Sequence, residues 1–225
     1  MKIEKIICFL SIILIIGYAT IVVESVYYVE MTPYADDACT VEKGESGVGY
    51  AFVVGECFGV GSFAPIVNNY IITLGDNNNN ATFHQYQSSD NACSQANPIY
   101  DVTYQSGSCY NAPEYADNNM YPNIYNYVLV SIKENPTSMP QYAYKFTQYI
   151  DSNCATNPQW YFFYTNDTVF HYGNNDFSKF YCDEGEPYEL YCEGSATNCT
   201  VNDQSRPCSR NVWAWHEHIY FLASC

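Results

Sequence analysis

The chain has 225 residues, of which 48% are hydrophobic, 17% aromatic and only 14% charged, and 24 acidic against 8 basic side chains give it a net charge of −16. That hydrophobic content excludes an intrinsically disordered polymer, and the length is enough to bury a sizeable core. The scarcity of lysine and arginine argues against nucleic acid and anionic membrane surfaces as partners, since both are bound through clustered cations.

The first element is a targeting segment. Lys2 and Lys5 precede an apolar run over 6–16, and the small residues Gly17 and Ala19 follow it. This is the pattern of a secretory signal peptide over 1–19, with cleavage after Ala19. The alternative is a retained signal anchor over 6–23, which would also place the body outside the cytosol. Cleavage leaves 23 acidic and 6 basic residues in 20–225, read as one disulfide-rich domain.

From residue 26 onward, runs of Tyr, Phe, Val, Ile and Thr alternate with clusters of Asn, Gly, Pro, Asp and Ser, and helical periodicity is absent. Such runs predict strands near 27–34, 49–54, 70–74, 82–87, 99–104, 127–132, 142–149, 160–164, 168–171, 188–192 and 212–222. The DNNNN stretch over 76–80 predicts a hairpin tip rather than a calcium loop, because it lacks the glycine and the bidentate glutamate such a loop needs. Short connections favour antiparallel pairing.

The strands recur in a pattern. MTPYADDAC ends at Cys39, QYQSSDNAC at Cys93 and TQYIDSNC at Cys154, with Asp36, Asp90 and Asp151 each three residues before the cysteine. A second cysteine follows each copy at Cys57, Cys109 and Cys182, and YELYCEGSATNC, ending at Cys199, reads as a worn fourth copy. Units therefore start near 27, 83, 144 and 188. The expected fold is an all-β, antiparallel sandwich or barrel built from three to four degenerate repeats and stapled by disulfides, with a β-trefoil as runner-up. The recurring aspartates are expected to cap loops as Asx turns rather than to form a calcium or acid–base set.

Beyond Cys8 in the leader there are ten cysteines, an even number in an exported chain, and no CxxC pair of the kind that binds zinc. If each unit closes its own loop, the bridges are Cys39 with Cys57, Cys93 with Cys109 and Cys154 with Cys182, leaving Cys199 for Cys208 and Cys192 for Cys225. Asn-x-Ser/Thr triplets mark Asn80, Asn166 and Asn198 as glycosylation acceptors.

Candidate chemistry is sparse. In VWAWHEHIYFL, Trp213 and Trp215 share one strand face and offer an aromatic surface for sugars, while His216 and His218 share the other at a spacing that could ligate a metal. His84 and His171, in aromatic surroundings, read as packing residues. GxSxG, P-loop, GxGxxG and HExxH motifs are all absent, so no catalytic residue, cofactor or metal is assigned. The reading is a secreted or cell-surface, extracellular, non-enzymatic glycoprotein with a structural, assembly or adhesive role. Its expected partners are other extracellular proteins, copies of itself or glycans, and its alternatives are a lectin-like carbohydrate-binding module and a secreted hydrolase.

Overall fold

The computed structural model describes residues 25–41, 47–60, 68–90, 92–112, 127–135, 144–156, 158–166, 168–171, 175–205, 207–210 and 220–225. The first eight strands are β1 (Tyr27–Tyr34), β2 (Val48–Val53), β3 (Phe58–Val60), β4 (Asn68–Leu74), β5 (Asn80–Tyr86), β6 (Tyr100–Gln105), β7 (Cys109–Asn111) and β8 (Tyr127–Glu134). The next eight are β9 (Tyr144–Tyr149), β10 (Pro158–Tyr164), β11 (Thr168–His171), β12 (Phe177–Asp183), β13 (Glu186–Cys192), β14 (Cys199–Asp203), β15 (Ser209–Arg210) and β16 (Tyr220–Ser224). One turn of 3₁₀ helix, Asp76–Asn78, sits at the β4–β5 tip, where Asn77 and Asn78 adopt left-handed φ of 61° and 56° that asparagine tolerates.

The fold is all-β and its pairings are antiparallel. An eight-stranded sheet runs β15-β16-β9-β10-β2-β1-β8-β7, and two four-stranded sheets run β3-β4-β5-β6 and β11-β12-β13-β14. Each of these orders has two ends, so among the described residues no sheet closes into the barrel or the trefoil that the sequence left open. Five short or polar strands were not foreseen, namely β3, β7, β12, β14 and β15. The expected strand over 212–222 is described only from Tyr220, because 211–219 lie outside the described residues.

The topology runs the same course twice. In β1–β8 the first two and last two strands enter the large sheet, while the middle four form a small one, and β9–β16 do the same. The two courses meet where β2 pairs with β10, with Tyr50 opposite Phe162 and Phe52 opposite Trp160. Tyr50 also pairs with Met31, and Phe162 with Phe146. Met31 and Phe146 each stand five residues before the repeated aspartate, Asp36 and Asp151. Tyr50 and Phe162 are therefore equivalent residues facing each other, which puts an approximate two-fold axis through the centre of the large sheet.

Period-two alternation turns Val29, Met31, Tyr50, Phe52, Trp160 and Phe162 toward the small sheets, and all six are buried. Phe52 lies 5.6 Å from Phe58 and 5.4 Å from Phe83 in one small sheet, and Tyr164 lies 4.7 Å from both Phe170 and Phe180 in the other. One core joins all three sheets. Trp160 keeps its indole N–H satisfied inside it by donating to the Gly59 carbonyl at 3.0 Å.

The disulfides correct every expected pairing. Cys39 joins Cys109, Cys57 joins Cys93, Cys154 joins Cys208, Cys182 joins Cys225 and Cys192 joins Cys199. The reason is strand exchange. Cys39 follows β1 in the large sheet, whereas the next cysteine, Cys57, precedes β3 in a small one; each bridges to a cysteine beside its own sheet.

Two outcomes follow for stability. Loop closure restricts the unfolded chain more for the 70-residue span of Cys39 and Cys109 than for the 7-residue span of Cys192 and Cys199. Replacing the first pair by serine should therefore cost about 2 kcal/mol more than replacing the second. Chemical denaturation of both variants, with non-reducing peptide mapping of the parent, checks this. At the β2–β10 seam, a Cβ on Gly49 would run into the Phe163 ring and stand 2.8 Å from the Met31 carbonyl oxygen. Gly49→Ala should lower stability by about 1 to 3 kcal/mol, read as a lower thermal midpoint.

Candidate functional site

The repeated aspartates build turns. The amide of Cys39 donates to the Asp36 carbonyl (3.1 Å), that of Cys93 to Asp90 (3.2 Å) and that of Cys154 to Asp151 (3.2 Å). Each cysteine adopts the left-handed conformation, with φ of 50°, 48° and 50° respectively. A residue with a Cβ enters that region at a cost, and here the carboxylate offsets it by holding the chain beyond the cysteine. Asp36 accepts from the Thr40 and Val41 amides and the Thr40 hydroxyl, Asp90 from the Ser94 and Gln95 amides and the Ser94 hydroxyl, and Asp151 from the Asn153, Ala155 and Thr156 amides.

These donors hold all three carboxyls below the usual carboxylate range. The largest cause is the Thr40 hydroxyl for Asp36, the Ser94 amide for Asp90 and the Thr156 amide for Asp151. Oxygens spent on backbone amides in three separate turns do not converge on a cation. Among the described residues no group of three or more His, Cys, Asp or Glu is placed to hold a metal.

His84 is not a packing residue. From β5 it faces Asp101 on β6 and lies diagonal to Thr73 on β4, with its Nδ1 2.8 Å from Asp101 Oδ1 and its Nε2 2.8 Å from Thr73 Oγ1. Hydroxyl, imidazole and carboxylate thus stand in the order used by acyl-transfer triads. The surroundings differ from such a site: Thr73 is exposed, Asp101 is 51% exposed, and Thr82 and Thr103 continue the same hydrogen-bonded surface at 2.8 Å. An open sheet face excludes no water, and the row acts as a cross-strand polar ladder. The signal was present in the sequence, since all three residues sit on predicted neighbouring strands, but it needed the hairpin register.

The outer face of the large sheet carries buried charge. Glu30, 7% exposed, pairs with Lys133 at 3.2 Å, and the Lys145 ammonium sits 5.2 Å from the centre of the Tyr161 ring. Burial pushes the Tyr161 phenol up and the Lys145 ammonium down. Both groups fill the sheet face.

Among the described residues, two of the end strands are counterparts of strands paired at the centre of the large sheet. The strand orders leave β6 and β14 at the ends of the small sheets, whereas their counterparts β2 and β10 cover each other at the centre of the large one. Ile99 and Tyr100 at the head of β6 are 57% and 62% exposed.

Of the other residues singled out from the sequence, Asn80 opens β5 half-buried with its side chain over Gly75, Asn166 is half-buried between β10 and β11, and Asn198 is exposed in the loop closed by Cys192 and Cys199. His171 is exposed, 6.0 Å from the Phe177 ring. Trp213, Trp215, His216 and His218 lie outside the described residues. Among the described residues, no helix is long and apolar enough to cross a membrane.

The aspartate turns predict acid sensitivity with a definite sign. A carboxyl held below its ordinary value stabilises the fold fully above that ordinary value and loses the contribution as pH falls through the depressed one. Thermal midpoints should therefore drop on acidification below the usual carboxylate range. The triple variant Asp36→Asn, Asp90→Asn, Asp151→Asn should melt lower at neutral pH and show a shallower fall in acid, measured by calorimetry across pH.

Comparison with curated proteins and with solved structures returns no match. The family model described as counting factor-associated protein A/B/C matches residues 1–220, nearly the full length. The five bridges fit the oxidising extracellular space. The chain belongs to the counting factor-associated protein A/B/C family.

Proposed function

We propose that this chain is a secreted, non-enzymatic glycoprotein with a structural, assembly or adhesive role, working by association with other extracellular proteins. The observation that carries the reading is the pair of open edges, β6 and β14, on a molecule whose equivalent strands β2 and β10 are joined edge to edge. An exposed edge presents a row of backbone donors and acceptors to an incoming strand. The family description itself names association with a factor. The polar ladder through His84, set on an open surface, adds hydrogen-bonding groups beside the β6 edge.

Export would follow from the leader over 1–19, and glycans at Asn80, Asn166 and Asn198 would mask parts of the surface. The acidic surface keeps single molecules apart and soluble until a partner of fitting shape engages an edge.

Expression of the full chain in a secretory host tests the reading. The protein is expected in the medium, starting at residue 20, losing mass on N-glycosidase treatment, and eluting from gel filtration in a species larger than one chain. Retention in the cytosol, or a free monomer that attaches neither to cells nor to extracellular proteins, would overturn it.

A further inference from the structure

The three glycosylation acceptors sit in unequal surroundings. Asn80 and Asn166 are half-buried, whereas Asn198, Cys199 and Thr200 are all exposed. Accessibility alone would make Asn198 the best acceptor of the three. Its triplet, however, is Asn-Cys-Thr, where the others read Asn-Ala-Thr and Asn-Asp-Thr, and the middle residue is held. Cys199 lies directly opposite Cys192 in the β13–β14 ladder and is bonded to it. Hydrogen bonds close the same loop again: the Glu193 amide donates to the Asn198 carbonyl at 3.0 Å, the Asn198 amide to the Ser195 carbonyl at 3.2 Å, and Asn198 Nδ2 to the Glu193 carbonyl at 3.3 Å.

We infer that closure of the Cys192–Cys199 bridge shuts off glycosylation at Asn198, so that the two modifications race during export and the bridged chain carries Asn198 bare. This rests on the secreted-glycoprotein reading above and gives one of its acceptors a regulation. Glycosyl transfer joins a sugar C1 to Asn198 Nδ2, while the lipid pyrophosphate of the donor leaves and the amide gives up one proton. Because the acceptor motif requires a hydroxyl two residues on, the transferase must hold Nδ2 and the Thr200 hydroxyl together on chain drawn free of its neighbours. Bridging oxidises the Cys192 and Cys199 thiols, and their two electrons and two protons reduce the disulfide of an oxidoreductase in the same compartment. From then on Cys199 pins the middle of the acceptor to β13, and Thr200 stays laddered opposite Tyr191.

The bridge holds the advantage in that race. Its cysteines are 7 residues apart, against 36 for the next shortest span, a difference that favours closure roughly tenfold. Gly194, at a φ of 69°, and the turn from Ser195 to Asn198 fold the loop back without help from distant strands. The β4–β5 hairpin around Asn80 is equally local, but an isolated two-stranded ladder is marginal and reopens, whereas a disulfide does not. The outcome bears on assembly. A glycan is bulky, and one attached a residue before β14 would screen Val201, which is 56% exposed on that strand. The order of the two steps thus decides how much of β14 is presented to a partner.

Expression of the full chain in a secretory host tests this, with enzymatic deglycosylation in heavy-oxygen water and non-reducing peptide mapping to read occupancy and bridging on the same molecules. In the parent, Asn198 is expected bare in most bridged chains. Cys192→Ser leaves the acceptor triplet intact and should raise Asn198 occupancy several-fold, counted on cell-retained and exported chains together so that a folding defect does not hide the change. A pulse of membrane-permeant dithiol during synthesis should do the same for the parent sequence. Asn80 occupancy should hardly move in either case, and Cys182→Ser, which removes a different bridge, should leave Asn198 bare. Three results overturn the inference while the secreted-glycoprotein reading stands: Asn198 as fully glycosylated in the parent as in Cys192→Ser, an equal rise in Cys182→Ser, or Asn198 bare in the variant and under dithiol while Asn80 is modified. A chain bare at all three acceptors and kept in the cytosol overturns both.

Discussion

Phe52 is the residue through which the three sheets come to share one core. Fully buried on β2, it stacks 5.9 Å from Trp160 across the seam between the two half-sheets and also meets Phe58 and Phe83 in the first small sheet. The second small sheet is reached through Tyr164 on β10, which lies 4.7 Å from Phe170 and Phe180. Each such ring pair adds about 0.5 to 1.5 kcal/mol beyond area burial, and the seam places several of them in series. The heavy use of tyrosine and phenylalanine follows from this layout. Flat rings fill the gap between layers formed by short strands, and the tyrosines along the rims keep a hydroxyl near water.

Covalent bridges complement that core where it is thin. The turns after β1, β5 and β9 fix three cysteines in a left-handed conformation, and their partners stand at the heads of β7, β3 and β15, strands of three residues or fewer. Strands that short gain little from ladder hydrogen bonds alone, so a bridge at the head holds each one on its sheet. The repeated Asp and Cys thus form one device: the carboxylate shapes the turn, the turn aims the thiol, and the bridge anchors the short outer strand.

That device was half legible in the sequence. The spacing of Asp36 and Cys39, Asp90 and Cys93, and Asp151 and Cys154 displayed the turn directly, and runs such as YVLVSI and WYFFY displayed the longer strands. The partner of each cysteine was not legible, because proximity in sequence misleads when β1 and β2 enter one sheet and β3 and β4 another. FGV and CYN were passed over as strands, since three residues show no alternation. His84 looked isolated for a related reason: its neighbours Thr73 and Asp101 lie 11 and 17 residues away and meet it only through the registers of β4 and β6.

The same exchange of strands determines which surfaces are left to meet other molecules. Four strands follow the recurring turn position, β2, β6, β10 and β14, and each ends its own four-stranded set. Two of them consume each other inside the chain, and two do not. A long open edge ordinarily invites aggregation and is blunted by charge, proline or brevity. On β6 the protection is partial: Pro98 precedes the strand and Asp101 lies on it, yet Ile99 and Tyr100 remain uncovered.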